Sequence, residues 1–172
     1  MLLNFLNKSC ANTITLMNII FGSFSLICTV HGDFTNAAIF IILAVVMDGL
    51  DGKVARKLDI MSLFGKELDS LCDLVSFGVA PAILIYMQVL DPFVYSMGII
   101  VAVFYIVCGA FRLARFNVLN ISDFFVGIPI TLAGSLVALV SLLAAWLPGT
   151  LVLVIILLLA ILMISNFKVP KF

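Results

Sequence analysis

Long apolar runs recur along this chain, and they restrict its fold more than any other feature. A helix needs about 18 or more mostly apolar residues to cross the hydrocarbon of a bilayer, and several runs here reach that length. Of the 172 residues, 65% are hydrophobic and 10% charged. A soluble domain of ordinary composition carries about 25% charged residues. Backbone in lipid must satisfy its own N–H and C=O groups, which favours helices that pack against one another. The expected fold class is all-α integral membrane, a single domain over residues 1–172 with no soluble appendage.

The runs divide into six transmembrane helices, at roughly residues 14–30, 37–56, 67–90, 93–114, 128–147 and 151–167. His31-Gly32-Asp33, Asp91-Pro92 and Pro148-Gly149 supply breaks between them. Residues 1–12 carry apolar Leu2, Leu3, Phe5 and Leu6 beside polar Asn4, Asn7 and Lys8. They suit either an interfacial helix on the membrane surface or a frayed terminus. Lys8 follows the apolar start instead of preceding it, unlike a cleavable signal peptide. Cys10, Cys28, Cys72 and Cys108 form no CxxC, and three lie in apolar stretches as small packing residues.

Zero net charge conceals a one-sided pattern. Lys8, Lys53, Arg56, Lys57, Lys66, Arg112, Arg115, Lys168 and Lys171 all fall on one side of the six-helix map. Loops on the other side carry no Lys or Arg. The positive-inside rule makes the basic side cytoplasmic, with both termini inside.

The chemistry concentrates in residues 48–73. Asp48 and Asp51 are three apart at the end of the second helix. Asp69 and Asp73 are four apart at the start of the third. Each pair shares a helical face, and a short loop lets the two helices lie side by side. Asp within a membrane helix costs about 2.5–3.5 kcal/mol, and like charges at this spacing repel. A divalent cation relieves both, and carboxylates are the ligands that Mg²⁺ and Mn²⁺ favour. Four carboxylates suffice for two ions, the arrangement that clamps a phosphoryl group. A solvated helix end is the plain alternative for any one Asp, but not for four at these spacings. Asp59 and Glu67 fit neither face and read as loop charges. Gly49 and Gly52 allow close approach of a ligand or of another helix. Arg56, one turn on, suits a diphosphate or a snorkelling anchor.

The stretch D-x2-D-G-x2-A-R-x8-G-x3-D-x3-D, met here as Asp48, Asp51, Gly52, Ala55, Arg56, Gly65, Asp69 and Asp73, resembles the CDP-alcohol phosphatidyltransferase family, with every gap matched. The resemblance implies six helices with cytoplasmic termini and a homodimer. The expected location is a cell (inner or plasma) membrane with the active site on its cytoplasmic side, and the lack of a targeting extension is compatible with a bacterial or archaeal one. It implies Mg²⁺ or Mn²⁺ on Asp48, Asp51, Asp69 and Asp73, with Asp73 also the general base. CDP-diacylglycerol would contact Gly52, Ala55, Gly65 and Ser62, with Arg56 on its diphosphate. Asn12, Thr15 and Asn18 resemble a polar motif beside the cytidine. They read equally as a helix cap at Asn12 with Thr15 and Asn18 bonding the backbone.

FRLARFNV (111–118) and FFVGIPITLAG (124–134) resemble the serine-accepting branch of that family through Phe125, Gly127 and Pro129, with Thr131 at a usual proline. Arg112 and Arg115, three apart on a helix face, would hold the carboxylate of L-serine. Glycerol 3-phosphate or an inositol phosphate would also use arginines. The expected reaction is attack of the serine hydroxyl on the β-phosphate of CDP-diacylglycerol, giving phosphatidylserine and CMP, directly or through a phosphatidyl-enzyme. Two readings from other classes compete. An ion-coupled transporter leaves Ala55, Arg56 and Gly65 unexplained, and a non-catalytic assembly protein would tolerate Asp73→Asn.

Overall fold

The computed structural model describes residues 2–58, 63–119, 124–165 and 168–170. It gives backbone only for 2–12, 14, 51, 53–58, 92–95, 119, 124–126 and 168–170. The described residues are almost entirely helical: α1 (Leu2–Val30), α2 (Phe34–Leu58), α3 (Leu63–Asp73), α4 (Ala80–Ile85), α5 (Asp91–Leu119), α6 (Ile130–Leu142) and α7 (Gly149–Ile164). Leu74–Val79 and Tyr86–Leu90 are π-helical, so α3 and α4 belong to one continuous rod, Leu63–Leu90, and the rods number six. Two three-residue strands, β1 (Phe124–Val126) and β2 (Lys168–Pro170), pair antiparallel with Phe125 opposite Val169. That ribbon is absent from the sequence-based expectation, because three residues carry no periodicity.

The rods match the six expected helices, with shifted ends. Residues 2–12 continue α1 as one helix and do not form a separate element. α5 begins at Asp91, directly where the third rod ends, and runs to Leu119. Arg112 and Arg115, expected at the end of this helix, lie seven and four residues before its last residue. The rods Leu63–Leu90 and Ser96–Val118 are long and apolar enough to cross a membrane, whereas the apolar parts of the other four span 10–17 residues.

The burial pattern is that of helices packed in lipid. Small residues fill the interior: Ala37, Ala38, Ala44, Ala80, Ala133, Ala138 and Ala160 are fully buried. Large side chains such as Phe24, Ile27, Ile100, Val107, Leu158 and Ile161 face outward. Small residues let helix backbones approach, and an apolar exterior costs nothing in hydrocarbon. At the first turn Gly32 takes φ +78, Asp33 N–H bonds Cys28 O at 2.9 Å, and Asp33 Oδ1 accepts from Asn36 N–H at 3.2 Å. That closes α1 and opens α2 with few backbone groups left open.

The third rod is the centre of the molecule, touching α1, α2, α5 and α6. Its departure from α-geometry has a local cause. Pro81 has no N–H to give the carbonyl of Phe77 and its ring crowds that turn. The helix widens ahead of it: Ala80 N–H bonds Val75 O, five residues back. The freed Phe77 carbonyl accepts from the buried Tyr105 hydroxyl on α5 at 3.2 Å.

Two glycines let neighbouring helices close on the widened turn. A Cβ at Gly22 of α1 would lie 2.8 Å from Ser76 Cα, and one at Gly134 of α6 would lie 2.8 Å from Phe77 Cα and 2.9 Å from its carbonyl oxygen. Backbone cannot step aside as a side chain can. Gly134→Ala should therefore lower stability by about 1–3 kcal/mol, read as a fall in the thermal midpoint of the detergent-solubilised protein. An unchanged midpoint would show that α6 is free to shift.

At the other end of the rod the chain reverses sharply. Leu90 O would be 3.1 Å from a Cβ at Gly98, eight residues on, whereas a straight helix separates such positions by about 12 Å. Tyr86 donates to Asp91 Oδ1 at 2.9 Å across the bend. Nearby, Gln88 and Ser141 exchange two hydrogen bonds at 2.5 and 3.1 Å, satisfying polar groups that would be costly unpaired among apolar helices.

Candidate active site: a carboxylate cluster beside a buried arginine

Asp48 lies ten residues before the end of α2, not at the helix end as expected, and Asp69 and Asp73 lie on the last two turns of α3. Asp69 and Asp73 are four apart, so their carboxylates project from one face about 6 Å apart along the axis. With α2 alongside, one oxygen from each of Asp48, Asp69 and Asp73 comes within 4.8 Å of the others. Asp73 is 8% exposed, and Asp48 and Asp69 are half-buried. Asp51 follows on the same helix one turn beyond Asp48, and its side chain lies outside the described residues.

Three carboxylates so close repel one another, and partial burial strengthens that repulsion. The protein offers partial relief. Asn18 of α1 donates from Nδ2 to Asp73 Oδ1 at 3.1 Å. Arg112 of α5 lies near enough to act on Asp73 electrostatically. Three carboxylates that bring their oxygens this close form a donor set that a hard divalent cation fits.

The placement of Asn18 is set from both sides. Its backbone carbonyl accepts from Ser76 Oγ at 3.1 Å, and Gly22, one turn along α1, leaves room for Ser76 to approach. The π-turn that Pro81 produces thus presents Ser76 to α1 immediately after Asp73. Asn18 is 1% exposed and its Oδ1 has no hydrogen-bond partner among the described residues. Arg112 is 9% exposed and its Nε likewise has none. Thr15, one turn before Asn18, is also buried.

The two arginines, expected to act together, are engaged differently. Arg115 donates from Nη1 to Ile164 O at 3.2 Å and from Nη2 to Ser165 O at 3.4 Å, which caps the C-terminus of α7. Gly127 explains its place in the downstream stretch. It takes φ +73 against the same helix end, where a Cβ would fall 2.6 Å from Met163 O. Arg115→Ala should therefore cost about 1–3 kcal/mol of stability while leaving the apparent KM for the acceptor within about threefold. A larger KM change with unaltered thermal stability would place Arg115 on the substrate.

Sequence reasoning overlooked Asn117. Its backbone O accepts from Lys66 Nζ at 3.2 Å and its Nδ2 donates to Ser70 Oγ at 3.0 Å and Glu67 Oε2 at 3.3 Å. It ties the aspartate-bearing α3 to the arginine-bearing α5. An Asn in the last turn of a long helix was the available signal. Glu67, read as a loop charge, is on α3 in this network. A Cβ at Gly49 would meet nothing within 4 Å among the described residues. Gly52 is exposed and Gly65 half-buried, flanking the aspartates in sequence. Asn12, Ala55 and Arg56 are on α1 and α2, with side chains outside the described residues, and Ser62 lies outside them altogether.

Comparison with known proteins bears on this arrangement. Residues 8–165 match the family model described as CDP-alcohol phosphatidyltransferase. The chain is 40% identical over 161 residues to a CDP-diacylglycerol–serine O-phosphatidyltransferase of Methanocaldococcus jannaschii, covering 92% of this chain and 72% of that protein. A protein of the same name from Bacillus subtilis is 38% identical over 168 residues, covering 92% of this chain and 88% of the relative. An archaetidylserine synthase of Methanothermobacter thermautotrophicus is 44% identical over 123 residues, 70% of this chain and 52% of that protein. With the family model spanning most of its length and two such relatives aligned over 92% of it, this chain belongs to the CDP-alcohol phosphatidyltransferase family.

Proposed function

We infer that this protein transfers the phosphatidyl group of CDP-diacylglycerol to L-serine, releasing CMP and forming phosphatidylserine. The observation that carries the reading is the Asp48–Asp69–Asp73 cluster set beside the buried, incompletely bonded Arg112. The names of relatives about 40% identical supply the acceptor.

The whole chain acts as one membrane domain. Its six rods cross the cell membrane with both termini and the active site on the cytoplasmic side, as the one-sided Lys and Arg distribution supports. A second copy completes a homodimer, on family resemblance. The acyl chains of the donor lie among the outward apolar faces and its diphosphate reaches the aspartates. Gly52, Ala55 and Gly65 leave room for the nucleotide, Arg56 and Ser62 bind its polar groups, and Asn12 and Thr15 line the cytidine. Asn18, grouped with them by resemblance, turns its amide to Asp73.

Asp48, Asp51, Asp69 and Asp73 would hold two divalent ions, Mg²⁺ or Mn²⁺, which would supply polarisation of the diphosphate and charge neutralisation for departing CMP. The side chains do the rest. Arg112 receives the serine carboxylate and sets the hydroxyl near Asp73. Asp73 accepts the hydroxyl proton as the oxygen attacks the β-phosphate, and the bond to CMP breaks. Asn18 keeps the Asp73 carboxylate turned toward the acceptor. Arg115 holds the end of α7 behind Arg112.

The test is CMP release by purified protein from CDP-diacylglycerol, with and without L-serine, and after chelation by EDTA. We expect release that requires serine, is lost on chelation, and returns with Mn²⁺ or Mg²⁺. Release supported by glycerol 3-phosphate or an inositol phosphate, and not by serine, would keep the chemistry and discard the acceptor. Activity indifferent to EDTA would discard the metal.

A further inference from the structure

Two buried polar atoms flank Asp73 with no partner among the described residues: Asn18 Oδ1 on α1 and Arg112 Nε on α5. They are chemically opposite. Nε carries a proton and needs an acceptor, whereas Oδ1 needs a donor. Such groups, buried and unbonded, are costly in an isolated protein, so their persistence calls for a ligand that satisfies both. Neither side chain is free to turn away. Asn18 is fixed by its bond to Asp73 and by Ser76 on its backbone carbonyl. Arg112 is packed with 9% exposure, and Asn117 ties its helix to α3 one turn and a half further on.

We propose that Asn18 and Arg112 form the two poles of a zwitterion subsite, in which Asn18 Oδ1 accepts a hydrogen bond from the acceptor's ammonium and Arg112 Nε–H donates to its carboxylate. The proposal rests on the reading of the acceptor as an amino acid and deepens it. Serine then makes three contacts, with its hydroxyl at Asp73 between the other two. Three fixed points define a chirality, so one enantiomer of serine is accepted over the other. Asn18 Oδ1 is an acceptor only, so it suits the ammonium of an amino acid. A phosphate-bearing acceptor brings no such cation. Asn18 thus has two duties through one amide: Nδ2 positions Asp73, and Oδ1 selects the acceptor.

The experiment follows incorporation of labelled L-serine into lipid by the purified full chain, with 3-hydroxypropionate and ethanolamine as competitors. The first keeps hydroxyl and carboxylate without the ammonium, and the second keeps hydroxyl and ammonium without the carboxylate. For the unmodified protein, each should compete with an inhibition constant about 10- to 100-fold above the KM for serine, the range expected for one lost hydrogen bond to a charged group. If 3-hydroxypropionate competes as well as L-serine is used, the proposal is overturned whatever any variant does. In Asn18→Leu, the KM for serine should rise about tenfold or more, with the 3-hydroxypropionate constant moving less than about threefold. Equal changes in the two would leave Asn18 as a positioning residue for Asp73 alone and overturn the subsite. Failure of the unmodified protein to incorporate serine at all sinks the serine reading and this inference together. Incorporation without discrimination sinks only this one.

Discussion

Asp73→Asn should reduce serine-dependent CMP release by about 10²–10⁴-fold, the usual worth of a positioned general base, with any lost metal affinity adding to it. The amide is isosteric with the carboxylate, so the packing around a residue 8% exposed is preserved. One of three mutually repelling carboxylates within 4.8 Å is also removed. The thermal midpoint in metal-free detergent solution should therefore hold or rise while activity is lost, the trade-off expected of a residue kept for function. Steady-state assay and thermal unfolding of the same preparation check both halves. Retention of more than about a tenth of the activity would exclude Asp73 as the base. A collapse of stability would show that its bond to Asn18 at 3.1 Å serves folding first.

Arg112→Gln should raise the KM for L-serine by about 10- to 100-fold, the cost of a lost charge-assisted bond to a carboxylate, with the KM for CDP-diacylglycerol shifting less than about threefold. Arg112→Lys should not restore affinity. A compact ammonium cannot reproduce the planar fork or place a proton where Nε has one. The measurement is a two-substrate kinetic matrix for each variant. Parallel increases in both KM values would make Arg112 a counter-charge for the whole aspartate cluster and not a contact to the acceptor.

Much of this protein was legible from local pattern. Six helical rods follow from apolar runs broken by Gly, Pro and Asp, because a backbone in apolar surroundings has few alternatives to the helix. The aspartate cluster was legible for a related reason. Spacings of three and four fix which side chains share a face, whatever the helix packs against. The geometry of Asp69 and Asp73 is therefore decided inside one short segment. Lengths were less legible. The break at Asp91-Pro92 was legible, but the start of α1 at Leu2 and the extension of α5 to Leu119 were not.

Only the tertiary structure decided which faces meet. Asn18 and Asp73 are 55 residues apart and Arg112 lies on a third rod, so no spacing rule could bring them together. Arg112 and Arg115 share a helix face by count. One is nonetheless buried toward the aspartates, and the other spends its donors on the end of α7. Pro81 could be seen to disturb its helix, but not that Tyr105 would take the carbonyl it frees or that Gly22 and Gly134 would close on the turn it widens. The physical reason is the same in each case. Helical periodicity is a property of a few consecutive residues, whereas partner choice is settled by close packing of all six rods at once, where a single Cβ at Gly134 would meet backbone at 2.8 Å.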